Sequence, residues 1–223
     1  MQSGTSSDAN TLQLTGVTAS NLIVLYYKCE GTIGTPTVSD GTSSLVVRAV
    51  NSHANGDLHG FFAYLLSANS GTRTYTVTPG GSPGFQRMIA FELSYTGGTL
   101  SFDTDRADGK GTSASPSSGN ITTTGTDEIV FGSYGEYSDH ILSARQINGQ
   151  NADANVDAGG FTSVWRKSFG STFTGAATAT LSPSAEWISN VIAFKVTGAG
   201  GSVDPGIIHG SATIIGNPFY SFG

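Results

Sequence analysis

The sequence is poor in the residues on which most enzymes and secreted domains depend. Cys29 is its one cysteine, so no internal disulfide can form, and only 12% of its residues are charged, against roughly a quarter in an average soluble protein. Lysine and arginine form no cluster and the formal net charge is −6, which argues against a nucleic-acid partner. No apolar run approaches the roughly 18 residues of a membrane-spanning helix. We therefore expect no nucleic-acid partner and no membrane partner.

The familiar catalytic motifs and the signature of a secretory leader are also missing. No nucleophile elbow of the G-x-S-x-G type, no phosphate-binding P-loop and no H-E-x-x-H zinc motif occurs. The first residues lack the basic and apolar regions of a signal peptide, which predicts synthesis in the cytoplasm. Cys29 ends the apolar run Leu22–Tyr27, which favours a buried core residue over a reactive thiol. These absences predict that the protein is not an enzyme.

Short runs of β-branched and aromatic residues, bounded by turn-forming residues, dominate the chain. Glycine contributes 31 residues, and no segment has the periodicity of a helix, so the pattern predicts an all-β, antiparallel β-sandwich of about a dozen strands. Asn148-Gly149 predicts a tight hairpin, because both residues accept the positive φ of a type I′ turn. The predicted strands are residues 11–18, 21–28, 44–50, 60–66, 72–78, 86–95, 99–103, 127–134, 140–147, 161–168, 175–181 and 186–196.

Two segments repeat after about a hundred residues, which is too long a period for a solenoid. Thr74–Pro79 followed by Met88–Glu92 reappears as Thr178–Pro183 followed by Val191–Lys195. Upstream, residues 21–24 match residues 127–130. The runs at 88–95 and 191–196 are almost entirely apolar, which predicts central strands buried on both faces. An internal duplication of this kind predicts a jelly-roll-like sandwich, since a jelly roll is built as two Greek keys.

The pattern divides the chain into a sandwich over residues 1–196 and a glycine-rich arm over residues 197–223. The pseudo-repeats cover about 19–98 and 125–196, and the polar stretch Asp103–Asn120 is either a linker between two sandwiches or a crossover loop within one, which we favour. The arm carries isolated apolar residues that predict docking on another subunit, although it can equally fold back as a last strand. The predicted partner-binding residues of the arm are Ile207, Ile208, Ile214, Ile215, Phe219, Tyr220 and Phe222.

Three carboxylates near a glycine, Asp103, Asp105 and Asp108, offer the oxygen ligands that calcium prefers. Their spacing departs from the EF-hand pattern and Arg106 interrupts it, so a polar turn explains the segment as well. We therefore expect no cofactor, with calcium as the alternative. His53 and His59 lack metal-ligand spacing and are expected in a solvated loop.

Exposed aromatic side chains can stack on sugar rings. Tyr134, Tyr137 and Trp165 are the predicted carbohydrate-binding residues, whereas Trp187 precedes an apolar strand and is expected in the core. A glycan-acting enzyme would need two carboxylates across a cleft. Glu92 and Glu136 are the acids considered for that role, but nothing in the sequence links them. Glu92 is expected at the surface, because its copy in the repeat is a lysine.

Several segments resemble β-sandwich proteins of tailed-phage virions and bacterial surfaces. The matching residues are 19–24, 38–40, Gly111–Ser118, Thr123–Phe131 and Glu186–Lys195, all of them framework. The resemblance implies a jelly-roll or Ig-like building block of a particle and carries over no ligand or catalytic residue. It predicts a virion protein, made in the host cytoplasm, that forms homo-oligomers and binds other virion subunits. A carbohydrate-binding module or adhesin is the alternative, and a glycan-acting enzyme comes third.

Overall fold

The computed structural model describes residues 10–53 and 55–198, together with the backbone of strands at 2–7, 202–203 and 209–212. These residues form strands joined by turns, which confirms the all-β prediction, and no helix among them is long and apolar enough to cross a membrane. The strands are β1 (Gln2–Ser7), β2 (Thr11–Val17), β3 (Leu22–Gly31), β4 (Thr37–Ser39), β5 (Val46–Val47), β6 (Asn51–Ser52), β7 (Leu58–Leu65), β8 (Gly71–Thr78), β9 (Pro83–Leu93), β10 (Tyr95–Thr96), β11 (Thr99–Ser113), β12 (Ile121–Thr122), β13 (Glu128–Glu136), β14 (Ile141–Ile147), β15 (Gln150–Asn151), β16 (Ala154–Asp157), β17 (Thr162–Phe169), β18 (Thr174–Gly175), β19 (Ala177–Ser182), β20 (Ala185–Thr197), β21 (Ser202–Val203) and β22 (His209–Ala212).

The four larger of the six sheets formed by the described strands are stacked face to face. The first central sheet has the order β22-β1-β9-β3-β7-β5, with β6 also paired to β7, and the second central sheet has the order β11-β20-β13-β17-β16. The first outer sheet, β2-β8-β4, covers the first central sheet, and the second outer sheet, β15-β14-β19, covers the second. The two central sheets therefore lie back to back in the middle of the stack.

Three hydrophobic cores hold these layers together. The middle core joins the central sheets and includes Phe91 of the first sheet and Phe131 of the second, whose ring centroids are 5.3 Å apart. The other two cores lie between each central sheet and its outer sheet. Because a central strand has a core on each face, it needs apolar residues at successive positions. This arrangement explains the unbroken apolar runs of β9 and β20, which are buried on both faces.

The repeated segments occupy equivalent places in the two halves. β8 and β19 both lie in outer sheets, while β9 and β20 both pair with an interior strand of their central sheet, β3 or β13. The sequence match at residues 21–24 is nevertheless shifted by one position. Val24 lies opposite Phe91 and Ile129 lies opposite Phe194, so Val24, not Ile23, corresponds to Ile129. Since neighbouring strand residues face opposite sides, only this register puts both side chains in the middle core.

The Asn148-Gly149 hairpin is confirmed, with φ of 52° and 71° at the two residues, between the paired strands β14 and β15. The prediction of a loop over Asp103–Asn120 is wrong for its first half. β11 continues to Ser113 and pairs along its length with β20, interrupted by two register shifts. Polar side chains are tolerated there because β11 is an edge strand of the second central sheet.

The terminal segments extend the first central sheet at its edge. β1 pairs antiparallel with β9, and β22 pairs in parallel with β1. β21, also in the arm, pairs with β10. The predicted partner-binding residues of the arm lie outside the described residues. The jelly-roll connectivity and the boundary at residue 196 stay predictions.

Candidate functional sites

The predicted carbohydrate-binding aromatics are placed mainly in the interior. Tyr134 and Trp165 are completely buried in the core beneath the second outer sheet, and the Trp165 indole donates to the Gln146 carbonyl at 3.1 Å. Burial and the nearby Glu136 raise the pKa of Tyr134 far above its ordinary value. Only Tyr137 is partly exposed. The prediction that Tyr134 and Trp165 stack on sugars is therefore wrong, because strand alternation turns both rings inward.

The three carboxylates of the predicted calcium loop do not come together. They lie along β11, where Asp105 receives two hydrogen bonds of 2.9 Å from Arg48, and Asp108 pairs with Arg106 at 2.5 Å. Asp103 is engaged by Lys195 instead. Across the described residues, no group of three or more acidic, histidine or cysteine side chains is arranged to hold a metal ion. The extended strand separates carboxylates that a tight loop would have gathered.

Asp103 belongs to a compact cluster at the edge of the second central sheet. Lys195 Nζ lies 2.9 Å from Asp103 Oδ1 and 2.6 Å from Thr124 Oγ1. The backbone N–H of Thr124 donates to Asp103 Oδ2 at 2.7 Å, and its hydroxyl donates to Asp103 Oδ1. Glu128 lies directly across the strand ladder from Lys195, and its Oε1 accepts the Gly125 N–H at 2.7 Å. The cluster thus brings one amine and two carboxyl groups together.

The two carboxyl groups of this cluster are almost inaccessible to water. The Asp103 side chain and Glu128 are each 1% exposed, while the Lys195 side chain is 26% exposed. Burial, together with a hydrogen bond to Asp103, raises the pKa of Glu128 to about 8. Burial opposes the charge on Asp103 too, but hydrogen bonds from Thr124 and Lys195 outweigh it and lower the pKa of that carboxyl. These opposite shifts favour a proton on Glu128 and a charge on Asp103.

A pocket of about 420 Å³ opens beside β14, β16 and β17. Arg145 lines it and donates from Nη2 to Asp157 Oδ1 at 2.6 Å and from Nε to Ser163 Oγ at 3.0 Å. Asp139, also in the lining, accepts the Gly160 N–H at 2.6 Å through Oδ1. A volume of this size suits a small ligand. The lining residues are Asp139, His140, Ile141, Leu142, Arg145, Asp157, Gly159, Gly160 and Ser163.

The acids that were considered for glycoside hydrolysis are committed to structural contacts. Glu136 is fully buried at the end of β13, where it accepts the His140 N–H at 3.1 Å and meets His140 Nδ1 at 2.5 Å. Glu92 is 3% exposed and accepts hydrogen bonds of 2.7 Å from the Thr18 N–H and the Asn21 amide. The expectation that Glu92 lies on the surface is wrong, because the turn before β3 folds over it.

Two further expectations concern isolated residues. His53 and His59 are each only 7% exposed, so the expected solvated loop is wrong for both. His59 lies in β7, where its Nδ1 is 2.8 Å from Ser52 Oγ. Cys29 and Trp187 are buried, as predicted, and burial raises the pKa of the Cys29 thiol to about 12.

Sequence reasoning missed the roles of Glu128, Lys195 and Arg145. The only sequence feature that pointed to Glu128 and Lys195 was the internal repeat. In it, charged residues of one copy replace apolar or oppositely charged residues of the other. Lys195 takes the place of Glu92, and Glu128, in the register of the structure, takes the place of Ile23. A charge in a central strand that is apolar or of opposite sign in the other copy is unusual enough to mark a position. Arg145 carried no such signal, since its partners depend on how β14 packs on β17.

No protein-family model matches the chain, and no curated protein matches it. Among solved structures, an oxalate decarboxylase is 7% identical, with 88% of this chain and 72% of that chain covered and a TM-score of 0.19. A Bacillus subtilis oxalate decarboxylase is also 7% identical, with 87% and 70% covered and a TM-score of 0.17. Scores this low do not show a shared fold, so these similarities carry no argument about function.

Proposed function

We propose that the chain is a non-enzymatic structural subunit of a tailed-phage virion, a head decoration or tail surface component anchored by contacts with other subunits. The observation that carries this proposal is the edge of the first central sheet, where β1 and β22 lie side by side. An edge strand presents unpaired backbone groups that another chain can complete. Terminal strands are also the elements that subunits most readily exchange. The resemblance to virion sandwiches supports the same assignment.

The stacked layers suit a subunit that must stay folded before and after assembly. Three cores share the two central sheets, so loss of either half would expose a wide apolar face. The carboxylates that the sequence offered for catalysis are each engaged within the fold, as Glu136 is by His140 and Glu92 by Asn21. Glu92 and Glu136 are also buried, so a glycan substrate would not reach their carboxyl groups. This supports a structural role over a catalytic one.

Incorporation into particles tests the proposal. Full-length protein and a variant that ends at Val196 would be expressed in the producing host, and purified particles would be quantified for each by mass spectrometry. We expect the full-length chain in the particles and the shortened chain only in the soluble fraction, as a folded protein. Equal incorporation of both would contradict anchoring through the arm, and absence of both from particles would contradict the virion assignment.

The pocket beside β14, β16 and β17 favours a second candidate function, binding of a glycan. Asp139, Asp157 and Arg145 offer acceptors and donors for sugar hydroxyls, and Ile141, which is 73% exposed, offers an apolar contact at the rim. A glycan array with the wild type and Arg145→Ala tests this function. Loss of a wild-type signal in the variant would support it, and a silent wild type would reject it. Tyr134→Phe is the matched control, because Tyr134 lies in the core and should not affect binding.

A further inference from the structure

We propose that the Lys195 amine condenses with the Asp103 carboxyl group, so that an internal isopeptide bond joins β20 to β11, with Glu128 carrying the proton that the reaction needs. This inference does not depend on the proposed virion function. It rests on the arrangement of three side chains from three neighbouring strands of the second central sheet. A covalent bond between the edge strand and its neighbour would prevent that edge from separating.

Strand register places the reacting groups on one face of the sheet. Lys195 lies opposite Glu128 on β13 and opposite Ser101 on β11. β11 has one more residue than β20 between Phe102 and Thr104, and the extra residue is Asp103. A bulge re-aims a side chain in this way. As a result, the Lys195 amine lies 2.9 Å from Oδ1 of Asp103, in direct contact with the carboxyl group whose Cγ it would attack. Holding two reacting groups together in this way favours a reaction between them.

Glu128 supplies a second carboxyl group beside the Lys195–Asp103 ion pair. Its Oε2 is buried and meets no hydrogen-bond donor within the described part of the chain, while its carboxyl group is within hydrogen-bonding reach of Asp103. Two carboxyl groups can bond to each other only if one carries a proton. Burial of Glu128 favours its protonated form, which would supply an acid beside the carboxyl group that must lose an oxygen.

The other lysine ion pairs of the described residues are less enclosed. Lys28 pairs with Glu30 at 2.6 Å, but Glu30 is partly exposed. Lys167 pairs with Asp153, whose second oxygen accepts the Ser168 N–H at 2.9 Å. Both carboxylates are also far more exposed, at 28% and 31% against 1% for the Asp103 side chain. Around Asp103, by contrast, Thr124 donates from both its backbone N–H and its hydroxyl, which polarises the carboxyl group toward attack.

The reaction balances without any other reactant. It starts from the Lys195 ammonium, the Asp103 carboxylate and the Glu128 acid. A proton passes from Lys195 to Asp103, and the amine lone pair then attacks Cγ of Asp103 to form a tetrahedral intermediate. The departing hydroxyl takes the Glu128 proton and leaves as water, while Glu128 regains a proton from the attacking nitrogen. The net change is one ammonium and one carboxylate converted to one amide and one water.

Intact mass of the purified full-length protein under denaturing conditions is the first test. We expect a mass lower by one water than the sequence requires. Trypsin cannot cut at a modified lysine, so residues 88–106 should stay linked to residues 168–223. The Asp40-Gly41 and Asp108-Gly109 pairs can also lose water by cyclising, which is why the linked peptide is required. A folded wild type with the full sequence mass, or without the linked peptide, would overturn the proposal.

Conservative variants separate the roles of the three residues. Lys195→Arg retains the positive charge without an amine nucleophile, so it should show the full mass. Asp103→Asn should link with loss of ammonia instead of water. Glu128→Gln retains the shape but has no transferable proton, and we expect it to be folded and unlinked. Water loss that persists in Lys195→Arg would overturn the assignment of the bond, and a fully linked Glu128→Gln would overturn the role of Glu128.

Discussion

The stack of four sheets predicts that residues from the two halves of the chain stabilise each other across the middle core. Phe91 on β9 and Phe131 on β13 are both fully buried, and their rings are 5.3 Å apart at an interplanar angle of 56°. Such an aromatic pair contributes about 0.5–1.5 kcal/mol beyond the area that it buries. We therefore expect that replacing both residues costs less than the sum of the two single replacements, by about 0.5–1.5 kcal/mol.

Leucine is the better replacement for this double-mutant cycle. Two alanine replacements would together cost about 6–10 kcal/mol, which is comparable to the whole stability of a domain. Phe91→Leu and Phe131→Leu each keep most of the volume and should cost about 1–1.5 kcal/mol, so all four proteins stay folded. The free energies of unfolding would be measured by urea denaturation, followed by circular dichroism.

A control pair distinguishes this coupling from general softening of the core. Leu181 lies in the core under the second outer sheet, which does not include Phe91. Phe91→Leu combined with Leu181→Ala should therefore be additive to within about 0.5 kcal/mol. Additivity of the Phe91 and Phe131 replacements to the same tolerance would refute the packing of the two central sheets.

Three further predictions concern a buried acid, a glycine and a core tyrosine. In a Lys195→Arg background, where no amide can form, stability should fall as pH rises from about 4.5 to about 8, because folded Glu128 then holds a proton that the unfolded chain releases. The free energy of unfolding should fall by at most about 1.4 kcal/mol per pH unit. Screening of the Glu128 charge by solvent and by the neighbouring cation limits the total loss to about 2–3 kcal/mol. Adding Glu128→Gln should flatten this part of the pH profile measured by urea denaturation, and an unchanged profile would contradict the placement of the proton. Gly60→Ala should destabilise by about 1–3 kcal/mol in thermal or urea unfolding, since its Cβ would lie 2.3 Å from the Tyr26 hydroxyl, and a neutral effect would show that the sheets can separate there. Tyr134→Ala should lower stability by about 3–5 kcal/mol in the same assay, and a loss of under about 1 kcal/mol would mean that the ring is not in the core.

Local sequence patterns were sufficient to predict most of the strands. β3, β9 and β20 carry unbroken apolar runs because they have a core on each face, and the Asn148-Gly149 turn has a conformation that few other residue pairs adopt. β11 was predicted too short, because an edge strand with polar side chains looks like a loop. The register of the repeat was missed by one residue, since matching letters do not report which face a side chain occupies.

The candidate sites could be predicted much less well, for a physical reason. Asp103, Glu128 and Lys195 are far apart in the sequence and meet only because β11, β20 and β13 are neighbours and a bulge turns Asp103. Asp105 and Asp108 looked like partners of Asp103 because they are close in sequence, but an extended strand keeps neighbours apart. Strand order and bulge position depend on tertiary packing, which no local pattern records.

The mass of the protein in solution, measured by light scattering for the full-length chain and for a chain that ends at Val196, tests the assembly proposal most directly. We predict that the full-length chain forms trimers or larger oligomers, whereas the shortened chain is a folded monomer with the same strand content. The arm would then be the element that joins subunits. An identical monomeric mass for both chains would contradict self-assembly through the arm.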